Sequence, residues 1–167
     1  MKKAIFGMGC FWGPEEKFSK VKGVTNTEVG YCGGTTDKTT YEEVCTGKTN
    51  HAEVVNVEFD EKTISYSDMV KIFFEMHDPT TLNKQGLDIG TQYRSEIFYI
   101  DEEQKKIAEK IKSNLNEKIR LKRLVAVGLG FVGVIIISKP GFDNLNLYYI
   151  YPIIFCLGFA GVSIIIR

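Results

Sequence analysis

Apolar and polar positions follow two different periods along the first two-thirds of the chain, and each change of period marks an element. Lys3-Ala4-Ile5-Phe6-Gly7-Met8 is a short, mostly apolar run of the kind that forms a buried strand. Pro14-Glu15-Glu16-Lys17-Phe18-Ser19-Lys20 opens like a helix. Pro14 suits a first helical position, Glu15 and Glu16 complement the positive end of the dipole, and Gly23 can close the C-terminus. Val24 to Tyr31 alternates weakly and ends in Gly30-Tyr31-Cys32-Gly33-Gly34, a turn whose glycines let the backbone bend sharply or approach a ligand. Within Ala52 to Asp60, Val55, Val57 and Phe59 fall on one face and Asn56 and Glu58 on the other, which predicts a strand. Ser67 to Met76 is an amphipathic helix with Val70, Phe73, Phe74 and His77 near one face, stopped by Pro79. Asn83 to Arg94 has the polar, glycine-containing composition of a working surface loop. Ser95 to Ile100 is another strand, and Asp101 with Gln104 forms an approximate capping box before Ile107, Ile111 and Leu115 recur at helical spacing. Strands and helices alternating around a β-rich middle predict an α/β fold built as a two-layer sandwich.

Charge divides the chain unevenly. The 167 residues carry a formal net charge of zero, which argues against a nucleic-acid platform. Between Leu124 and Arg167 only Lys139, Asp143 and Arg167 are charged, so two differently composed pieces share one chain. The four cysteines, Cys10, Cys32, Cys45 and Cys156, form no C-x-x-C pair and no zinc-ligand spacing, and the two histidines do not complete a metal set. Thiols in a reducing compartment are the better reading, and Met1-Lys2-Lys3 leads into a strand rather than an export signal.

The stretch hardest to explain as packing is Gly9-Cys10-Phe11-Trp12-Gly13, which places Cys10 between a strand end and a helix N-terminus. A helix end favours the thiolate, the form of cysteine that attacks electrophiles, and Phe11 and Trp12 would supply an apolar wall beside the sulfur. The competing reading is a buried structural cysteine at a strand–helix junction. Taken singly, Glu53 would be a solvated charge beside a strand, and Tyr41 and Tyr93 half-buried packing residues. His51 and His77 read as hydrogen-bonding residues near loops rather than as bases.

Six ordered motifs change these odds: Gly9-Cys10-Phe11-Trp12-Gly13, Gly30-Tyr31-Cys32-Gly33-Gly34, Tyr41-Glu42-Glu43-Val44-Cys45, His51-Ala52-Glu53-Val54-Val55, His77-Asp78-Pro79-Thr80, and Gln85-Gly86 continuing through Asp88 and Gly90 to Gln92-Tyr93-Arg94-Ser95. Together they resemble the A-type peptide methionine sulfoxide reductases over roughly residues 1–116. The resemblance implies the family's α/β sandwich, here with a ferredoxin-like core left incomplete at its C-terminal end. It also implies reduction of the S epimer of methionine sulfoxide, free or in proteins, by a thiol reductant such as thioredoxin and with no metal or organic cofactor. A sulfoxide sulfur is a poor electrophile until its oxygen is protonated or strongly hydrogen-bonded, so such a site needs an acid and donors facing the nucleophile. By resemblance Cys10 is the nucleophile, Glu53 the acid, and Tyr41 and Tyr93 the donors. Phe11 and Trp12 hold the S-methyl group, and Asp88 orients the substrate or the site. Attack leaves a cysteine sulfenic acid, which a second thiol can condense into a disulfide. Many members of the family use cysteines in a C-terminal tail, which is not visible here, so Cys45 and Cys32 are the candidate resolving thiols and direct reduction by an external thiol is the alternative.

Past the last helix the pattern departs from the resemblance. Glu117 to Arg123 is a basic cluster, followed by apolar stretches at about 121–138 and 147–166, the second with twenty uncharged residues. These predict a membrane segment over 117–167 with two transmembrane helices, the catalytic domain on the cytoplasmic side and the lipid bilayer as a partner. Two buried helices completing a cytoplasmic protein are the alternative. Leu124 to Val134 also resembles, much less specifically, a piece of an EamA-type drug/metabolite transporter. On that reading the chain is either a membrane-anchored reductase or an inactive truncated fusion.

Overall fold

A computed structural model describes residues 1–138. Its elements, in chain order, are β1 (Lys2–Met8), α1 (Trp12–Ser19), β2 (Val24–Cys32), α2 (Tyr41–Cys45), β3 (Ala52–Phe59), α3 (Tyr66–Met76), β4 (Lys84–Gln85), β5 (Asp88–Ile89), a 3-10 turn (Thr91–Tyr93), β6 (Ser95–Phe98) and α4 (Glu102–Ser138). The chain divides into two compact units, Met1–Lys112 and Ser113–Arg167.

In the first unit β2, β3, β1 and β6 form an antiparallel sheet in that order. The crossover through α1 leaves room for β3 between β1 and β2, and the crossover through α3 leaves β1 between β3 and β6, the arrangement of a split βαβ pair. Alternation dictates which face is covered. Ala4 pairs with Val57 and Phe6 with Val55, and with Met8 and Phe59 these side chains meet Phe18 of α1 and Met69, Val70 and Phe73 of α3 in one core. Phe6 stacks between Phe18 and Phe73 at centroid distances of 5.4 and 5.1 Å, and Ile107 and Ile111 of α4 pack against the same cluster.

Several boundaries differ from the periodicity for identifiable reasons. α1 begins at Trp12, so Pro14 is its third residue; the first-turn N–H groups lack helical partners anyway, and a proline there loses nothing. β3 begins at Ala52, three residues before the alternation becomes visible, because Ala52, Glu53, Val54 and Val55 are all buried and a strand covered on both sides shows no alternation. A short helix forms at Tyr41–Cys45, closed by a capping box in which the Thr40 hydroxyl accepts from the Glu43 N–H and the Glu43 carboxylate from the Thr40 N–H. The expected loop at 83–94 contains the β4–β5 hairpin and the 3-10 turn.

The largest correction concerns α4. One helix runs through Leu115 and the basic cluster, because nothing between Asn114 and Leu124 is a proline or glycine and most of those residues are good helix formers. The apolar run in it, Leu124 to Ser138, measures about 22 Å against a hydrocarbon core of about 30 Å. Extending it toward the N-terminus meets Arg123, Lys122, Arg120 and Lys118. Among the described residues no helix is long and apolar enough to cross a membrane, so the span expected at 121–138 is not found. The stretch at 147–166 lies outside the described residues.

Candidate active site

All the chemistry-bearing residues gather at one end of the sheet. The end of β1 leads into Cys10, β2 ends at Tyr31 and Cys32, α2 carries Tyr41 and Cys45, β3 begins beside Glu53, and the 3-10 turn delivers Tyr93 just before β6. The same register that builds the core puts Glu53 on the helix-covered face, in phase with Val55, Val57 and Phe59 and paired with Tyr31 across β2.

Cys10 lies half-buried after Gly9, whose φ of +90° makes the turn out of β1. Phe11 caps α1 without a side-chain bond, and its own N–H donates to Oε2 of Glu53 at 3.2 Å. That contact fixes the carboxyl beside the nucleophile's peptide. Glu53 is 2% exposed; burial raises its pKa above the ordinary carboxyl value, the Phe11 N–H offsets part of the rise, and the charge of Asp88 adds to it. The un-ionised carboxyl therefore persists to higher pH here than in a free glutamate.

Three tyrosines ring the acid. Tyr93 and Tyr31 have raised pKa values, first from burial and then from the Glu53 charge, so both hold their protons more firmly than a free phenol. Tyr41 stands one helical turn before Cys45, whose side chain leads the causes that push the Tyr41 pKa up to about 12, followed by the charges of Tyr93 and Glu53. Tyr41, Tyr93, Glu53 and Asp88 thus share one electrostatic neighbourhood. The Phe11 ring closes the floor, 8% exposed, edge-on to Trp12 at 5.1 Å and tilted against Tyr31 at 5.9 Å, while Trp12 stands 63% exposed at the rim.

Two of the sequence-derived candidates separate here. Cys45 is exposed and lies within electrostatic reach of Tyr31, Tyr41 and Tyr93, hence beside the site. Cys32 follows Tyr31 on β2 opposite Ala52, and strand alternation directs its side chain to the face away from Glu53. Tyr31 is the lining residue the sequence reading left inside a glycine turn; its signal was the pairing partner of Glu53, which only the register supplies. Among the described residues Cys10, Cys32 and Cys45 are free thiols, and no group of three or more His, Cys, Asp or Glu residues could hold a metal ion.

The histidines brace the surrounding loops. Nδ1 of His51 accepts from the Gly34 N–H at 3.2 Å while Nε2 donates to the Thr36 carbonyl at 3.0 Å, fastening the β2–α2 connection over the start of β3. His77 bonds Phe73 O through Nδ1 and the Ser95 hydroxyl through Nε2, both at 2.7 Å, and burial lowers its pKa.

A protein-family model described as "Peptide methionine sulfoxide reductase" matches residues 2–131. The chain is 61% identical over 119 residues to the peptide methionine sulfoxide reductase MsrA of Pelagibacter ubique (strain HTCC1062), a match covering 71% of this chain and 81% of that one. Among solved structures it is similar to Mxr1 from Saccharomyces cerevisiae in reduced form, with a TM-score of 0.66, 37% identity, and coverage of 70% of this chain and 69% of that one. It is also similar to methionine sulfoxide reductase A of Corynebacterium diphtheriae, with a TM-score of 0.63 and 38% identity; 70% of this chain matches, and it spans 58% of the other. The stretch 117–131, read from the sequence as the start of a membrane segment, falls inside the family match.

Proposed function

The chain belongs to the peptide methionine sulfoxide reductase family, and from that premise we propose that Cys10, Glu53, Tyr41 and Tyr93 carry out its reaction, the thiol-dependent reduction of methionine sulfoxide. The observation that supports this reading most strongly is the buried Glu53 carboxyl bonded to the Phe11 N–H, one residue from the thiol.

The sulfoxide oxygen enters among Glu53 and the tyrosine hydroxyls, with the S-methyl group against Phe11 and Trp12. Glu53 gives its proton to that oxygen, and Tyr93 and Tyr41 donate hydrogen bonds to it. The polarised sulfur accepts the electron pair of Cys10. With the thiol's proton added, the oxygen leaves the substrate sulfur as water, giving a sulfonium bonded to Cys10. Water then attacks the Cys10 sulfur, the S–S bond breaks and a proton returns to Glu53, so that methionine departs reduced by two electrons and Cys10 is left oxidised by two as a sulfenic acid. Asp88, whose charge adds to the rise that burial gives the Glu53 pKa, favours the protonated acid as well as orienting the substrate. Three donors and walls of fixed handedness suit one sulfoxide epimer, the S form.

Regeneration requires a second thiol. Cys45 is favoured over Cys32 because it sits at the tyrosine rim on the site's side of the sheet, and thioredoxin is the reductant proposed for the resulting disulfide. Since every residue invoked precedes Arg94, inside the family match, a working reductase is favoured over an inactive fragment. The test is sulfoxide reduction with dithiothreitol. Wild type should turn over N-acetyl methionine S-sulfoxide and spare the R epimer, and Cys10→Ser should fall to background; equal rates in the two chains would reject the reading.

A further inference from the structure

The bend that Gly9 makes out of β1 has the side chain of Gln85 packed inside it. A Cβ on Gly9 would lie 2.7 Å from Cβ and 2.8 Å from Cγ of Gln85, closer than unbonded carbons approach, so the backbone just before Cys10 rests directly on this stem. The amide beyond the stem is engaged through both of its polar atoms. Oε1 accepts from the Asp78 N–H at 3.3 Å, and Nε2 donates to the Asp78 carbonyl at 3.2 Å.

Asp78 is a firm anchor for that amide. It follows His77, whose ring is bonded to Phe73 O of α3 and to the Ser95 hydroxyl of β6, and its own carboxylate accepts from the N–H and the hydroxyl of Thr80 at 2.9 and 2.6 Å. On its other side Gln85 belongs to the hairpin that carries Asp88. The two residues are direct cross-strand partners, so their side chains share one face. The Gly90 N–H closes the hairpin on Asn83 O at 2.9 Å, and the Tyr93 N–H returns to Gly90 O at 3.0 Å. Strands of two residues each cannot hold their place by their own pairing, so the hairpin needs an outside fastening. Gln85 supplies it where the end of α3, the turn before the nucleophile and the loop leading to Tyr93 meet.

We propose that Gln85 is a positioning residue for the reduction: by tying the hairpin to Asp78 and supporting Gly9, it sets where Asp88 and Cys10 stand relative to Glu53. The inference rests on the reductase reading of the site and adds to it a residue that acts through others. Its consequence can be read at Glu53. The ionisable groups around that carboxyl are Cys10, the phenols of Tyr31, Tyr41 and Tyr93, and Asp88, and after burial it is the Asp88 charge that raises the Glu53 pKa. That influence weakens with distance, so a loosened hairpin should release it.

The test follows the Glu53 carboxyl by carbon-13 NMR across pH in the parent chain, Gln85→Met, Asp88→Asn and the double variant, all carrying Cys10→Ser so that the thiol's own titration is absent. Gln85→Met keeps the length of the side chain and removes both amide bonds. It should move the Glu53 midpoint to lower pH, as Asp88→Asn does, and should move it no further once Asp88 is neutral. Gln85→Asn, one methylene too short to reach Asp78, should shift it in the same direction. With Cys10 restored, Gln85→Met should lose about tenfold in kcat/KM on N-acetyl methionine S-sulfoxide, and its alkaline descent should move to lower pH. An unmoved midpoint in both Gln85 variants, with or without a lower urea midpoint, would overturn the positioning role, as would an equal shift with and without the Asp88 charge. A midpoint that moves as expected in a protein whose Cys10 form shows no turnover would reject the reductase reading instead.

Discussion

Glu53 has two neighbours pulling its proton in opposite directions, and burial decides between them. The Phe11 N–H stabilises the carboxylate, yet desolvation and Asp88 together keep the pKa above the ordinary carboxyl value. Activity that depends on the un-ionised form should therefore persist at pH values where a free glutamate has lost its proton, and fall as pH rises through the raised pKa. Glu53→Gln preserves shape while removing the proton; its kcat should drop by about 10²- to 10⁴-fold and the alkaline descent of the rate profile should disappear. Asp88→Asn acts in the opposite sense to Asp88's charge. It should lower the Glu53 pKa and move the alkaline descent to lower pH, a shift readable in kcat/KM against pH. At this scale the sequence was informative about identity and silent about environment: Cys10, Glu53, Tyr41 and Tyr93 could be named from motifs, but nothing in the letters says that Glu53 is 2% exposed or that Tyr31 stands opposite it.

The strands and helices deliver these residues because each ends where the site begins, so element stability and site geometry are linked. Gly34 shows the link most sharply. A Cβ there would lie 2.2 Å from Cδ2 of His51, the ring that fastens the β2–α2 connection, so Gly34→Ala should cost about 1–3 kcal/mol in urea unfolding and weaken the placement of Tyr41. In α3, Phe73 is 1% exposed, stacks on Phe6 and touches Phe74 and His77; Phe73→Ala should cost about 3–5 kcal/mol. His77 joins α3 to β6 in its neutral form, with a pKa below the ordinary 6.5. The unfolded chain then takes up the proton first, so this contribution is present above about pH 6.5 and is lost as pH falls toward the folded value. Comparing urea midpoints at pH 7 and pH 5 should show a smaller difference in His77→Gln than in wild type. Strong periods such as Ser67 to Met76 were legible to within a residue. The start of β3 was not, because burial on both faces erases the alternation that would announce it, and the hairpin at 84–89 was not, because two-residue strands carry no period.

At the scale of the whole chain, the two units differ in how they meet water. The first closes a core under a four-stranded sheet, whereas the second contains a helical stretch whose Leu121, Leu129 and Ile136 are each more than 60% exposed. An all-round apolar helix beside a basic cluster reads in sequence as a membrane span; its length within the described residues argues otherwise. Exposed apolar surface of this extent favours self-association, so Leu129→Lys/Ile136→Lys should raise the soluble fraction in sedimentation without changing kcat/KM on N-acetyl methionine sulfoxide. Composition could separate the two pieces, but it could not say where the boundary falls, since a helix-forming sequence runs unbroken through the change. The whole reaction stands on a thiol at position 10 taking oxygen from sulfur beside an acid at position 53. A single-turnover experiment without reductant, with methionine S-sulfoxide and peptide mass mapping, tests it most directly. It should release about one methionine per chain, with Cys10 oxidised as a sulfenic acid or a disulfide to Cys45, and release should slow sharply in Glu53→Gln. Methionine released equally by Cys10→Ser, or oxidation found elsewhere while Cys10 stays a free thiol, would contradict it.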